Sequence, residues 1–190
     1  MNKQNEYKEQ KGNNGHKEHN KHNKQEDHDK SKMCPECNEI TITVDTLEKT
    51  VELASIFAET IKPGDILCLS GDLGAGKTTF TQALCKALGV TEHVTSPTFN
   101  IMNQYEGRLP IYHFDVYRIA EPDEMYEIGF DEYLNGMGVS IIEWAPLVEV
   151  LIPEDAVWMI IKTTGETSRT ICLRGPSEKL GRLTHEVIGH

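Results

Sequence analysis

Ile66-Leu67-Cys68-Leu69-Ser70, followed directly by Gly71-Asp72-Leu73-Gly74-Ala75-Gly76-Lys77-Thr78, is the stretch that decides how this chain folds. The first five residues form a short apolar run of the buried-strand type. The next eight satisfy the phosphate-binding pattern G-x-x-x-x-G-K-[ST] without mismatch. Thr79 to Leu88 then reads as a helix, ended by Gly89 as a C-terminal cap would end it. Strand, glycine loop and helix is the setting this pattern requires. Its glycines let the backbone turn tightly and aim successive N–H groups at phosphate oxygens. The helix N-terminus adds a partial positive charge at the same place. Lys77 would reach the β- and γ-phosphates, and the Thr78 hydroxyl would ligate Mg²⁺. Average composition produces a full match by chance in about one chain in a hundred of this length.

Upstream, Ile40-Thr41-Ile42-Thr43-Val44 alternates apolar and polar residues, the mark of a half-buried strand. Asp45 or Thr46 can cap a helix whose apolar positions are Leu47, Val51, Leu53, Ala54, Ile56, Phe57 and Ile61. Lys62-Pro63-Gly64-Asp65 turns the chain into the strand before the loop.

Downstream, Val94 to Phe99 reads as a turn and Asn100 to Tyr105 as a strand, with Glu106-Gly107-Arg108 as a hairpin tip. The return strand is Leu109 to Tyr117, and so short a connection implies antiparallel neighbours. Asp123 to Leu134 should hold one or two short helices, and Val139 to Trp144 a buried strand ending in an acid. Ala156 to Lys162 and Arg169 to Leu173 look like a final strand pair around the turn-rich Thr163 to Ser168. A helix is expected from Ser177.

A phosphate loop needs a metal-binding acid, usually at the end of a nearby apolar strand. Glu143, after Val139-Ser140-Ile141-Ile142, fits that position; its alternative role is to cap a neighbouring helix. Asp115 lies between Phe114 and Val116, where an unpaired charge would be costly, so it either serves the site or pairs with Arg118 or His113. Thr98, in the rigid turn Ser96-Pro97-Thr98, can lie over a γ-phosphate as switch segments do, or can belong to an ordinary turn. His113 reads as a satisfied structural histidine, and Trp144 as packing or as a ring that stacks near the nucleotide. Lys77, Asp115 and Glu143 are thus the candidate catalytic residues, and Thr78 and Glu143 the candidate metal ligands. Asp72, Leu73, Gly74, Ala75, Gly76, Lys77, Thr78, Thr79 and Thr98 are the expected nucleotide contacts.

The chain has 190 residues and a net charge of −11, unevenly placed. Residues 1–38 carry eight Lys and seven acids, so residues 39–190 hold 11 Lys/Arg against 23 Asp/Glu, a balance of −12. A domain this acidic does not hold nucleic acid by its own field; a partner would have to hold any RNA. Residues 1–38 are almost devoid of apolar side chains and are expected to be a disordered extension, leaving residues 39–190 as the folded domain. His16, His19, His22, His28 and Cys34-Pro35-Glu36-Cys37 could bind Zn²⁺ or Ni²⁺, although a single C-x-x-C is a weak pattern. No apolar run reaches the length of a membrane span and the N-terminus lacks a signal-peptide core, which points to the cytoplasm. Cys68, Cys85 and Cys172 sit in core-like runs and not in a disulfide framework.

Gly71 to Thr79, Ser96-Pro97-Thr98-Phe99, His113-Phe114-Asp115-Val116-Tyr117-Arg118 and Ile142-Glu143-Trp144 together resemble the TsaE (YjeE) family in order and spacing, from about Ile40 to about Gly175. Those proteins are small bacterial ATPases of tRNA threonylcarbamoyladenosine biosynthesis. The resemblance implies an α/β, P-loop NTPase-like three-layer sandwich with a mixed parallel and antiparallel sheet. It implies ATP and Mg²⁺ as cofactors, with Thr78 and Glu143 holding the metal, Lys77 on phosphate, and Asp115 assisting hydrolysis or orienting the metal's water. It also implies partnership with the TsaB–TsaD pair, which modifies adenosine 37 of tRNAs reading codons that begin with A; tRNA is then met only through the partners. Asp45 to Leu47 is where such proteins would contact adenine. The family pattern does not include residues 1–38, and it more often has leucine at the Val116 position.

A small metabolite or nucleotide kinase is the alternative use of the same loop. A kinase needs a lid or clustered basic residues. Arg108, Arg118, Arg169, Arg174 and Arg182 are instead scattered, and no lid-like insertion stands out.

Overall fold

The computed structural model describes residues 37–188. Residues 1–36 of the predicted disordered extension, with His16, His19, His22, His28 and Cys34, lie outside them. Seven strands form one sheet: β1 Cys37–Val44, β2 Ile66–Ser70, β3 Met102–Glu106, β4 Pro110–Asp115, β5 Val139–Glu143, β6 Val157–Thr163 and β7 Arg169–Pro176. Their order is β1-β7-β6-β2-β5-β4-β3. The central β6, β2, β5 and β4 run parallel, whereas β3 against β4, β6 against β7, and β1 against β7 are antiparallel. The mixed sheet expected from the sequence is therefore present, with the antiparallel pairs at its two edges.

β1 begins earlier than Ile40. Cys37 and Asn38, read above as part of the extension, pair with Pro176 and Gly175 because β7 runs on far enough to receive them. At the other edge β3 starts at Met102, two residues later than expected. Asn100 and Ile101 are instead drawn into a turn by N–H bonds to the Pro97 carbonyl at 2.9 and 2.7 Å.

Helices cover both faces. On one lie α1 Leu47–Thr60, α2 Lys77–Ala87 and α4 Ser177–Ile188; on the other are α3 Phe130–Leu134 and two 3-10 helices, Pro122–Ile128 and Ala145–Leu151. The first face packs Leu53, Phe57, Phe80, Leu84, Leu180 and Leu183 on the sheet. The second packs Met125, Phe130, Leu134 and Val148 around Phe114 and Ile142. Edge-to-face rings anchor each layer, Phe57 on Phe80 at 5.3 Å and Phe114 on Phe130 at 5.0 Å.

Thr46 caps α1, its side chain accepting from the Lys49 N–H at 3.3 Å, while Asp45 pairs with the Lys49 ammonium at 2.9 Å. Thr46→Ala is expected to cost about 1 kcal/mol of folding free energy, read as a shifted urea midpoint with an unchanged slope. The buried face of α1 is narrower than predicted. Leu53, Ala54, Phe57 and Ala58 are buried, but Leu47 and Val51 at its first turns are exposed. α2 ends as expected: Gly89 is left-handed at φ 89°, and the Val90 N–H returns to the Cys85 carbonyl at 3.0 Å. Burial raises the thiols of Cys68 and Cys85, the latter to about 12, so both behave as core residues. Among the described residues, no helix is long and apolar enough to cross a membrane.

Candidate functional site

The parallel strands β2, β4 and β5 end on the same side of the sheet, and the chain leaves β2 there to form the Gly71–Thr78 loop. Gly76 is the N-cap of α2 with φ 113°, a conformation that leaves the first N–H groups of the helix pointing outward without a side-chain cap. A Cβ added at Gly74 or Gly76 would meet nothing within 4 Å, so the inner surface of the loop is an open cradle. Gly71 is needed for a different reason. A Cβ there, at φ 144°, would lie 2.4 Å from the Ile161 carbonyl oxygen. Gly71→Ala is expected to destabilise the domain by about 1–3 kcal/mol through this clash, measurable by denaturant unfolding.

Lys77 is almost completely buried. Its ammonium donates to the Gly71 and Asp72 carbonyls at 2.7 and 2.9 Å and lies 3.8 Å from the centroid of the Trp144 ring. Burial pushes this group below the ordinary lysine range, against the opposing pull of Glu143, Asp115 and Asp72. Trp144, read from sequence as packing or as a ring near the nucleotide, sits over the loop lysine, and Tyr117 lies against it tilted by 43°, with centroids 4.8 Å apart.

Thr78 Oγ1 donates to Glu143 Oε2 at 2.8 Å, joining residues 65 positions apart. Glu143 is 1% exposed, and its Oε1 also faces His113 Nε2 at 2.9 Å and Thr81 Oγ1 at 3.4 Å. Asp115 stands opposite Glu143 in the β4–β5 register. It is not paired with Arg118 or His113. The Ser96 and Thr98 hydroxyls both donate to its Oδ2, Thr98 at 3.0 Å, and the Tyr117 N–H donates to Oδ1 at 3.1 Å. Thr98 is therefore tied to Asp115, and its turn is fastened to the strand ends and not merely laid over the surface.

Backbone strain collects here. Ile101 (φ 66°) and Trp144 (φ 63°) are the non-glycine residues with positive φ among those described. The first carries the carbonyl that receives the Asp115 N–H at 2.9 Å, and the second follows Glu143. A β-branched residue in this region is unfavourable, and such conformations concentrate at working sites.

A pocket of about 230 Å³ adjoins the loop. Thr46, Leu47 and Thr50 line one side, Gly74, Gly76 and Thr79 the floor, and Thr167 and Arg169 the far wall. Arg169 Nε donates to the Ala75 carbonyl at 2.8 Å and its Nη1 to the Ser168 carbonyl at 2.9 Å, which ties the β6–β7 turn to the loop. Sequence reasoning assigned Arg169 no such part. Of the segment Asp45 to Leu47, Thr46 and Leu47 line this pocket while Asp45 pairs with Lys49. Leu73, at the loop tip, is 86% exposed.

The residues present fit Mg²⁺. A hydroxyl and a carboxylate, both hard oxygen donors, converge beside an open cradle of backbone N–H groups. Among the described residues no group of three or more His, Cys, Asp and Glu is arranged to hold a metal. Mg²⁺ does not require one, since it is commonly held by one or two carboxylates together with water and phosphate oxygens.

Mixed sheet, glycine loop and helix define a P-loop NTPase-like three-layer α/β fold. The family model for the threonylcarbamoyl adenosine biosynthesis protein TsaE matches residues 44–171. The chain belongs to the TsaE family. A TsaE protein of Bacillus subtilis is 44% identical over 144 residues, covering 75% of this chain and 90% of the relative. One from Treponema pallidum is 36% identical, covering 65% and 92%. The crystal structure of Bacillus subtilis YdiB superposes with a TM-score of 0.69 at 37% identity, covering 81% of this chain and 97% of that one.

Proposed function

We propose that this protein binds ATP with Mg²⁺, hydrolyses it slowly, and supports tRNA threonylcarbamoyladenosine formation by engaging a TsaB–TsaD pair. The observation that carries the reading is the Thr78–Glu143 bond at 2.8 Å directly beneath the Gly71–Thr78 loop. It supplies the hydroxyl and carboxylate that phosphate-loop chemistry requires at one point. Mg²⁺, if held by Thr78 and Glu143, would supply neutralisation of the charge that develops on the phosphates. The chain's own residues have separate tasks. The loop N–H groups and Lys77 would hold the phosphates, Thr78 and Glu143 would hold the cation, and the pocket at Thr46, Leu47 and Arg169 would receive the nucleoside. Asp115, close to Glu143 and held by two hydroxyls, would orient the attacking water.

The positions of the arginines support slow turnover and weigh against a kinase. Arg169 is committed to loop carbonyls, Arg174 to Glu39 at 2.9 Å, and Arg182 to the Thr60 carbonyl at 3.1 Å. Arg108 donates to the Ala58 carbonyl, and Arg118 lies 4.4 Å from the centroid of the Phe99 ring. A missing arginine finger lowers phosphoryl-transfer rates by about 10³–10⁵-fold. Partner dependence follows from this shortfall and from the acidic surface, which would leave tRNA to the TsaB–TsaD pair.

The test is phosphate release and a pull-down on a TsaB–TsaD pair with ATP, ADP or no nucleotide. Slow release alone, with capture that depends on the nucleotide, is the expected result. Failure to bind the pair under every nucleotide condition overturns the partner reading. Transfer of the γ-phosphate to a small acceptor would establish the kinase instead.

A further inference from the structure

Glu143 Oε1 has two neighbours able to donate, and only one is free to do so. The Thr81 hydroxyl has a single proton; it lies 3.1 Å from the Lys77 carbonyl and 3.4 Å from Oε1, so the shorter bond takes it. That leaves His113, whose Nε2 is 2.9 Å from Oε1. Beside a carboxylate, which only accepts, Nε2 must carry the proton. His113 is 0% exposed, and its Nδ1 has no hydrogen-bond partner among the described residues. An apolar side chain would avoid that unmet polar atom, so packing alone does not account for an imidazole here. Its ring reaches Glu143 because Ile111, His113 and Asp115 alternate onto one face of β4. Parallel pairing with β5 sets Ile141 and Glu143 on the same face beside them.

We propose that His113 is a positioning residue. By donating from Nε2 to Oε1 it fixes the Glu143 carboxyl rotation that turns Oε2 toward Thr78, so hydroxyl and carboxylate are already set as a pair before a cation arrives. The inference rests on the Mg²⁺-nucleotide reading above. It adds to that reading the group that orients the carboxylate. Partners that orient a metal-binding side chain commonly contribute about 10–100-fold to metal affinity or activity.

The experiment is calorimetric titration of the full chain with ATP, in Mg²⁺ and separately in EDTA, so that binding is read apart from turnover. His113→Leu is expected to lower the Mg²⁺-dependent gain in ATP affinity by about 10–100-fold while affinity in EDTA stays within about twofold of wild type. His113→Gln, whose amide can place a donor near the Nε2 position, is expected to recover most of the gain. His113→Phe repeats the loss with a ring, in case Leu does not support the fold; retained affinity in EDTA certifies that the loop is assembled. In a Glu143→Gln background, His113→Leu should change the Mg²⁺ dependence by less than about twofold, because the group it orients is already altered. Equal Mg²⁺ dependence in wild type and in whichever of the Leu and Phe variants folds overturns the positioning role and leaves the nucleotide reading standing. Failure of the wild-type chain to bind ATP in either condition overturns both.

Discussion

Glu143→Gln is expected to reduce Mg²⁺-dependent ATP turnover by about 10²–10³-fold, the range associated with removing one electrostatic contact to a developing charge. The amide keeps the volume of the carboxylate and can still accept from Thr78 at the Oε2 position. His113 can answer the new N–H₂ group by moving its own proton to Nδ1, which has no partner to lose. The substitution is therefore close to neutral for the fold, and melting temperature serves as the control. What is lost is formal charge beside Thr78. Mg²⁺ prefers anionic oxygen, and an amide oxygen carries only part of that charge. Phosphate release measured across a Mg²⁺ titration checks this. Turnover within threefold of wild type at every Mg²⁺ concentration would remove Glu143 from the metal shell.

Lys77→Met is the second large effect: ATP affinity is expected to fall by about 10²–10³-fold. In this structure the ammonium is satisfied by two carbonyls of its own loop and by the Trp144 ring. A triphosphate must draw it away from these. It can do so because phosphate oxygens carry formal negative charge and attract the ammonium by direct Coulomb interaction, which neutral carbonyls lack. Bonds to charged groups contribute about 1.5–3 kcal/mol each, and one or two of them correspond to the stated loss at about 1.4 kcal/mol per decade. Methionine preserves the apolar stem, and removing a buried ammonium offsets the two carbonyls left without a donor, so stability should change little. Equilibrium titration with ATP would decide it, and an affinity unchanged within threefold would mean that the loop holds phosphate without its lysine.

The site was legible in the sequence where its chemistry is local. Gly71 to Thr78 is eight consecutive residues whose conformational freedom, donors and charge define the loop by themselves. Asp115 and Glu143 were legible as acids at the ends of apolar strands, because a charge in such a run is costly unless it has a task. His113 was read as a satisfied structural histidine, whereas the structure sets its Nε2 2.9 Å from Glu143 Oε1 and gives its Nδ1 no partner among the described residues. Its alternation with Asp115 was visible, but its contact with Glu143 spans 30 positions and depends on β4 lying beside β5. Arg169 was missed for the same reason, since its bond to Ala75 crosses 94 positions. The exposure of Leu47 and Val51 also escaped a periodicity argument. Helical spacing says which residues share a face, whereas how far the layer beneath extends is set by packing.

By itself, then, the sequence determined the glycine loop Gly71–Thr78, the strand–loop–helix around it, the antiparallel edges and the short list of acids able to complete a site. Each of these follows from neighbours in the chain, through backbone freedom, periodicity and turn length. Only the tertiary structure decided that Glu143 meets Thr78, that Asp115 is held by Ser96 and Thr98, that His113 stands behind Glu143, and that Arg169 joins the β6–β7 turn to the loop. Those pairings come from strand order and register, which local chemistry leaves open. Burying both faces of one seven-stranded sheet at once is what settles them.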